Sequence, residues 1–251
     1  MSDPLLSLRG ASVSYWRGSR EVRVLSDVSL DLDAGRLLAV WGQHRSGKTT
    51  LLKLAAGLQP PDSGEVYFDG RDLAGLSASA LAGVLREQIA WARPSGPQTP
   101  DLRILDYVAL PLLGDLPRRE AHRRALGALE RVGAAQCSRA VWTQLSDSEQ
   151  TLVAIAHAIV REPRLLLVDE QTASLDDLER ERVMALLRSA TDEAGMAVLI
   201  TVPDMAEMLH AHELRNLSSG RLLAPSEEAE SLVEPSGGPE NVIDFPGERS
   251  A

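Results

Sequence analysis

The feature that most constrains the fold is the segment GQHRSGKT at residues 42–49, which matches the pattern GxxxxGKT. An apolar run at 37–40 precedes it, and an apolar run with helical character at 51–56 follows it. A glycine-rich loop between a strand and a helix can hold a polyphosphate on its backbone N–H groups and on the positive end of the helix. Lys48 would add a point charge to such a site, and the Thr49 hydroxyl could bind Mg²⁺. A simple glycine turn is the alternative interpretation.

Lysine usage favours the phosphate loop over the simple turn. The chain uses arginine at almost every basic position and contains only two lysines, Lys48 and Lys53. One of the two therefore stands where the motif requires it.

The length of 251 residues predicts one large α/β domain with an inserted lobe rather than two independent domains. The net charge of −10 argues against nonspecific binding to nucleic acid, because such binding needs a basic face that neutralises phosphates. Residues 224–251 contain seven acidic residues and one arginine, without apolar periodicity. We therefore expect a folded domain at 1–223, followed by an acidic, disordered tail.

Cysteine usage and the apolar runs predict the compartment. Cys137 is the single cysteine and cannot form an internal disulfide, so a reducing compartment is expected. The first residues lack the basic and apolar segments of a signal peptide, and no run reaches the ~18 apolar residues that span a bilayer. We expect a soluble cytoplasmic chain whose membrane role must come through a partner.

Alternating apolar and polar residues over 5–32 predict antiparallel strands at the N-terminus. Tyr15 and Trp16 are expected to lie between two of these strands. An aromatic side chain there could stack on an adenine face, a contact worth ~1–3 kcal/mol by analogy with base stacking. A hairpin aromatic that covers the sheet is an equally good interpretation until a nucleotide site is established. A further short strand is predicted at 65–68, between two turn clusters.

An inserted, mostly helical lobe is predicted for residues 77–160, which are rich in alanine, leucine and arginine. One helix should begin near Ser146, since Ser146 and Glu149 have the spacing of a capping box. After the lobe we expect a buried parallel strand at 165–168, a helix at about 178–190 and a second buried strand at 197–200. The fold class is therefore α/β, with a parallel sheet covered on both faces.

Asp169 and Glu170 directly follow the buried strand at 165–168. Two carboxylates at the end of a buried strand are costly unless a positive group lies nearby. Because the phosphate loop also follows a strand of the predicted sheet, the two motifs should meet at its carboxyl edge. Asp169 could then orient Mg²⁺ beside Thr49, and Glu170 could polarise a water molecule for attack on a terminal phosphate.

Five segments stand in a recognisable order: Tyr15, the loop at 42–49, Leu145-Ser146-Asp147-Ser148-Glu149, the strand and acids at 165–170, and Ser174-Leu175-Asp176. Together they resemble the adenine-stacking residue, phosphate loop, signature, acidic strand and dimer-facing turn of the nucleotide-binding subunit of ABC (ATP-binding cassette) transporters. The resemblance covers about residues 5–222, and the run at 102–112 is similar to the branch that serves lipoprotein release and macrolide export.

The resemblance implies a P-loop NTPase core with an N-terminal antiparallel β subdomain and an inserted helical subdomain. It also implies a head-to-tail dimer that sandwiches two ATP molecules with Mg²⁺, and transmembrane permease partners at the inner face of the cell membrane. The residues that it assigns to catalysis are Lys48 and Glu170, those that it assigns to the metal are Thr49 and Asp169, and those that would face the opposite subunit are Ser146, Asp147, Ser148 and Glu149. The nucleotide-binding residues would be Tyr15, Gly42, Gln43, His44, Arg45, Ser46, Gly47, Lys48, Thr49 and Thr50.

The phosphate loop and the loop that links the lobes both depart from the family's pattern. Arg45 replaces the third glycine of the phosphate loop, which would cost ~1–3 kcal/mol if its φ is positive. Pro94 replaces the glutamine that touches the metal and senses the membrane partner. Proline offers no side-chain ligand, and Gln98 could substitute only if the loop were rebuilt.

The signature and the switch histidine are also altered. Asp147 and Ser148 replace the two signature glycines. An aspartate about 5 Å from a γ-phosphate would oppose it by ~3 kcal/mol per unit charge at an effective dielectric of about 20, unless it turns away or binds a cation. The helix N-terminus contributes only ~0.3–1 kcal/mol in return, so a capped helix start without a nucleotide role is an equal alternative. Val202, which cannot hydrogen-bond a phosphate, stands at the position of the switch histidine.

Two functional hypotheses follow. Retention of Lys48, Thr49, Asp169 and Glu170 supports an ATP-hydrolysing transporter subunit. Loss of the γ-phosphate sensors supports a degenerate nucleotide-binding scaffold or regulatory subunit, paired with an active ATPase subunit. We favour slow or partner-dependent hydrolysis in a heterodimer, because both sites of a homodimer would carry every defect. The acidic charge disfavours a third interpretation, a soluble cassette ATPase that acts on nucleic acid.

Overall fold

The computed structural model describes residues 3–93, 96–169, 175–203 and 210–223. The strands in this part of the chain are β1 (Leu6–Arg17), β2 (Arg20–Leu32), β3 (Leu37–Trp41), β4 (Ser63–Phe68), β5 (Arg71–Asp72), β6 (Ile89–Ala92), β7 (Leu165–Asp169), β8 (Ala197–Val202), β9 (Glu213–Ser218) and β10 (Arg221–Leu222). The α-helices are α1 (Lys48–Ala55), α2 (Ala78–Glu87), α3 (Ile104–Ala109), α4 (Arg118–Arg131), α5 (Asp147–Ile159) and α6 (Asp177–Ala194). Short 3₁₀ turns at Leu110–Leu112, Ala135–Arg139 and Trp142–Gln144 link the helices of the lobe.

The strands form two sheets. The N-terminal sheet is antiparallel with the order β2-β1-β4-β5, as the alternating pattern predicts. The larger sheet has the order β10-β9-β3-β8-β7-β6, and its neighbouring strands are parallel except at the short β9–β10 pair. The predicted α/β class, with a parallel core sheet, an antiparallel subdomain and inserted helices, is therefore confirmed.

The central strands of the larger sheet are buried on both faces, because successive side chains of a strand point to opposite sides. In β3, Leu37 and Ala39 enter a core shared with helices α3 to α6. Leu38 and Val40 enter a second core shared with α1, α2 and the antiparallel sheet. β7 and β8 divide their side chains between the two cores in the same way. The carboxyl ends of these three strands are consequently held at one rigid edge.

Three strands of the larger sheet are not predicted by the sequence: β6, β9 and the two-residue β10. β6 lies inside the segment 77–160 assigned to the lobe, yet it pairs with β7, so residues 89–92 belong to the core sheet. Only Gln88 separates α2 from β6, and no glycine or proline marks the change. β9 is mostly polar and lacks an apolar pattern, but it pairs along β3 through backbone hydrogen bonds. No described helix has the length and apolarity needed to cross a membrane.

The helix α5 begins where the sequence predicts. The Ser146 hydroxyl accepts a hydrogen bond from the Glu149 backbone N–H at 3.3 Å, and the Glu149 carboxylate accepts one from the Ser146 backbone N–H at 3.0 Å. This reciprocal capping box satisfies two N–H groups that would otherwise lack partners at the helix start.

In the lobe, His157 of α5 is stacked on Tyr107 of α3. The two ring centroids are 4.4 Å apart and the ring planes differ by 11°. Tyr107 in turn meets Trp142 edge to face at 5.8 Å. Burial lowers the pKa of His157 from 6.5 to about 4, since a charged imidazole is poorly solvated in this environment.

The pKa of His157 predicts a pH-dependent stability. The folded state keeps His157 neutral while the unfolded chain binds a proton below pH 6.5, so the contribution of this residue is present above pH 6.5 and is lost as the pH falls towards 4. The loss should reach the order of 1–3 kcal/mol at pH 4. Urea unfolding of wild type and His157→Phe, which keeps a stacked ring without a titrating group, measures it. Parallel pH profiles for the two proteins would contradict the prediction.

The capping box predicts a difference between two neighbouring serines. Ser146→Ala should destabilise the chain by about 1 kcal/mol, because the Glu149 N–H loses its acceptor. Ser148→Ala should cost much less, since among the described residues the Ser148 hydroxyl bonds only the Ser146 hydroxyl, at 3.2 Å. Chemical unfolding without nucleotide compares the two variants, and equal losses would show that the cap contributes nothing specific.

Candidate functional site

The segment 42–47 links the end of β3 to the start of α1, and its first and last residues must be glycine. A Cβ at Gly42 would overlap the carbonyl oxygen of Leu217. Gly47 has φ +110°, a backbone conformation that L side chains rarely adopt, and a Cβ there would lie 3.0 Å from the Val24 carbonyl oxygen. The loop is thus pressed against β2 and β9, and its path is fixed by these contacts.

Lys48 is the first residue of α1 and is 5% exposed. Its ammonium group donates hydrogen bonds to the carbonyl oxygens of Gly42 and Gln43, the latter at 2.9 Å. The Lys48 side chain therefore folds back over its own loop, and its positive charge lies beside the carbonyl oxygens of Gly42 and Gln43. Lys48 therefore lies where the sequence analysis expects a point charge for a phosphate.

Arg45 adopts φ +67°. The condition under which the sequence predicted backbone strain is therefore met, and the expected cost is ~1–3 kcal/mol. Arg45 and its neighbours Gln43 and His44 are exposed. They line one side of a cavity of about 330 Å³, whose other side is formed by residues 216–219 at the end of β9.

The polar groups of the loop fit a phosphate and a divalent cation. The Ser46 hydroxyl oxygen is buried and has no hydrogen-bond partner among the described residues, so it can serve a ligand oxygen. The Thr49 hydroxyl, in contrast, lies in an exposed residue at the start of α1 and is open to the carboxyl edge of the sheet. Thr50, which follows it, is buried.

Asp169 meets the phosphate loop, as predicted. The Thr49 hydroxyl donates to one carboxylate oxygen of Asp169 at 3.3 Å, across 120 positions of sequence. Thr49 follows β3 in the chain, and Asp169 is the last residue of β7. In the sheet, β8 lies between these two strands. A hydroxyl and a carboxylate oxygen at this separation form a pair of hard oxygen ligands of the kind that Mg²⁺ binds.

Thr201 is a further member of the site that the sequence analysis did not assign. Its hydroxyl, at the end of β8, donates to the same oxygen of Asp169 at 3.0 Å. The available signal was a polar residue closing an otherwise apolar strand, next to the strand that carries Asp169. Thr201 and Thr49 therefore both hold the same oxygen of the Asp169 carboxylate.

Tyr15 and Trp16 lie within β1, not between the strands, because β1 continues to Arg17 and the hairpin turns at 18–19. The Tyr15 hydroxyl donates to the Gln59 side-chain oxygen at 3.3 Å, and the ring packs partly against the second core. Trp16 is 70% exposed. Both a stacking role and a sheet-covering role remain compatible with the position of Tyr15.

The signature segment forms the start of α5. Asp147 and Ser148 are its first two helical residues, and Asp147 is exposed. Glu149 is engaged internally, since its second oxygen also accepts a hydrogen bond from the Cys137 thiol at 3.4 Å. Burial and this carboxylate raise the pKa of Cys137 to about 11. No hydrogen bond or ion pair between described residues of the chain joins this segment to the phosphate loop, so the two predicted halves of the site do not meet within one subunit.

Three predicted positions, Pro94, Glu170 and Ser174, lie outside the described residues. Val202, in contrast, is completely buried in the core on the helical face, where its side chain can donate no hydrogen bond. The last residue of the dimer-facing turn, Asp176, caps α6 by accepting a hydrogen bond from the Glu179 N–H at 2.8 Å.

Comparison with known proteins supports the family. A family model described as "ABC transporter" matches residues 25–173. The lipoprotein-releasing system ATP-binding protein LolD of Pseudomonas syringae pv. tomato is 35% identical over 225 residues, which are 89% of this chain and 99% of that protein. The macrolide export ATP-binding/permease protein MacB of Sodalis glossinidius is 34% identical over 236 residues, which are 94% of this chain. The chain spans 36% of that protein.

Solved structures agree with these relatives. The dimeric structure of MJ0796, a bacterial ABC transporter cassette, superposes with a TM-score of 0.80 at 27% identity, over 87% of this chain and 97% of that chain. A dimeric post-hydrolysis state of the same cassette, bound to ADP and Pi, superposes with a TM-score of 0.80 at 28% identity over the same shares. The fold, the order of the motifs and the macrolide-export and lipoprotein-release relatives all confirm the resemblance. The chain belongs to the ABC transporter family, as an ATP-binding domain homologous to those of macrolide exporters and lipoprotein-releasing systems.

Proposed function

We propose that the chain binds Mg·ATP at the loop of residues 42–50 and that it hydrolyses ATP slowly, or only with a partner, to drive or gate transport. The hydrogen bond between Thr49 and Asp169 carries this proposal, because it joins the phosphate loop to an acidic metal ligand at one edge of the sheet. Bound Mg²⁺ would neutralise charge on the β- and γ-phosphate oxygens.

Each part of the loop has a role in this proposal. The backbone N–H groups and the positive end of α1 would hold the phosphates, and the buried Ser46 hydroxyl would donate to a phosphate oxygen. Lys48, which now bonds two carbonyl oxygens of its own loop, would exchange one of them for a phosphate oxygen. Tyr15 would stack on the adenine, a role that its partly exposed ring permits.

The proposed dimer is head to tail. Ser146, Asp147, Ser148 and Glu149 of the second subunit would face the γ-phosphate, and Glu170, which follows Asp169 in sequence, would polarise the attacking water. Two solved relatives are dimeric cassettes, which supports a dimer. Transmembrane permease subunits would receive the motion, and the chain would sit at the inner face of the cell membrane.

Slow hydrolysis is proposed because two positions near the γ-phosphate lack the required chemistry. Val202 is buried and offers no hydrogen bond to the phosphate or the attacking water. Asp147 adds a negative charge to the surface that would approach the phosphate. The same two observations favour a second candidate function, a nucleotide-binding scaffold or regulatory subunit paired with an active ATPase subunit.

Steady-state ATP turnover distinguishes the two candidates. If the chain hydrolyses ATP, Glu170→Gln should lower the rate by a factor of about 10²–10⁴, the usual contribution of a general base. Glu193→Gln, which changes an exposed carboxylate on α6, is the matched control and should leave the rate unchanged. Rates near background for wild type and Glu170→Gln alike would exclude hydrolysis by the isolated chain and leave hydrolysis that needs a partner, or the scaffold.

Nucleotide binding is tested independently of turnover. Lys48→Ala should abolish measurable Mg·ATP binding in calorimetry, since the site loses the charge that faces the phosphates. Lys53→Ala is the matched control, because it removes the other lysine of the chain from the last turn of the same helix. Unchanged affinity in Lys48→Ala would show that this loop is not the nucleotide site.

A further inference from the structure

Two exposed charges of opposite sign have no partner in the described part of the chain. Arg45 stands in the phosphate loop, and Asp147 stands at the first position of α5. Neither side chain makes a hydrogen bond or an ion pair with any residue that the structure describes. Several exposed arginines are paired within the chain, as Arg164 is with Asp69 at 2.6 Å and Arg188 with Asp192 at 3.0 Å.

We propose that the second subunit of the dimer is another copy of this chain, and not the different subunit that the sequence analysis favours, and that Arg45 pairs with Asp147 of the partner subunit across each nucleotide site. The proposal rests on the head-to-tail arrangement of the proposed function, which brings the phosphate loop of one subunit to the start of α5 in the other. A two-fold axis then repeats the pair, so that one dimer contains two such ion pairs.

Backbone strain supports a role for the Arg45 side chain. Its φ of +67° is a conformation that glycine adopts without cost. An arginine at this position is tolerated only where the surrounding structure holds it there, and such strained positions cluster at functional sites. A guanidinium group can bind a carboxylate through two parallel hydrogen bonds, which a small or neutral side chain cannot do.

Charge balance indicates which partner fits. Asp147 approaching a phosphate alone would oppose closure of the dimer, whereas Arg45 supplies the cation that cancels this charge in the same site. A partner with glycine at both positions would leave Asp147 of this chain facing the phosphate without a cation in the opposing loop when water is excluded, and an unpaired buried charge is strongly disfavoured. A second copy of this chain pairs all four charges.

The test uses two charge reversals, Arg45→Asp and Asp147→Arg, in a Glu170→Gln background with Mg·ATP, and a non-hydrolysable ATP analogue as an independent repeat. Each variant alone places like charges in both sites, so its homodimer should dissociate about a hundredfold more readily than the parent in sedimentation velocity. An equimolar mixture of the two variants should recover dimers, because one site then contains the native pair and the other the reversed pair. Rescue in the mixture supports an ion pair between subunits, since a pair within one chain could not be restored in this way.

Controls separate electrostatics at the interface from loss of folding or of nucleotide. Arg119→Asp and Asp31→Arg make the same charge changes at exposed sites on α4 and β2, and they should leave dimerisation unchanged. A fluorescent ATP analogue confirms saturation of every sample. Neutral variants give a second measurement. In an Arg45→Gln background, Asp147→Asn should strengthen the dimer, because it removes a negative charge that has no cation beside it. With Arg45 present, Asp147→Asn should not strengthen the dimer.

The outcomes are distinct. If the parent binds ATP but stays monomeric, the second subunit is a different cassette and the self-pairing is overturned. If it dimerises but the charge reversals act like the controls, or the neutral variants combine additively, the ion pair is overturned while the dimer stands. If no ATP binds, the proposed function itself fails.

Discussion

The Asp169 carboxylate is the point on which the site depends, because it joins three strand ends that are distant in sequence. One of its oxygens accepts hydrogen bonds from Thr49, after β3, and from Thr201, at the end of β8. β3, β8 and β7 are adjacent and parallel, and both faces of each are packed in apolar cores. Rigid burial of the strands therefore fixes the separation of the polar groups at their ends, without any contact that the loops must supply.

The strands next to the phosphate loop also fix the path of the loop. Gly42 lies against β9 and Gly47 lies against β2, so neither position can accept a Cβ. These two contacts hold both ends of the loop in place. Between these two glycines, Arg45 has a left-handed backbone conformation and an exposed side chain. The contacts at Gly42 and Gly47 thus hold the strained backbone conformation of Arg45, and the exposed Arg45 side chain remains accessible to a partner.

The sequence predicts those parts of the structure that follow from local patterns. The buried strand at 165–168, the capped start of α5 and the meeting of Thr49 with Asp169 are all found, because apolar runs, capping residues and the edge rule of parallel sheets act locally or by topology. β6 and β9 could not be predicted, since each is a strand only because a neighbouring strand supplies its hydrogen bonds. Thr201 became a site residue only when the order of the strands placed it beside Asp169.

At the start of α5, the effect of Asp147 on folding differs from its effect on dimer formation. Ser146 and Glu149 satisfy each other's N–H groups, and Glu149 also accepts from Cys137, so this helix end is complete before any nucleotide or partner arrives. Asp147 is favourable in the isolated chain, because a negative charge near a helix N-terminus stabilises it by ~0.3–1 kcal/mol. The same charge becomes unfavourable only when a phosphate approaches and water is excluded. Asp147 therefore leaves folding unharmed, and in the proposed dimer its cost would fall on closure, where a cation in the opposing loop would offset it.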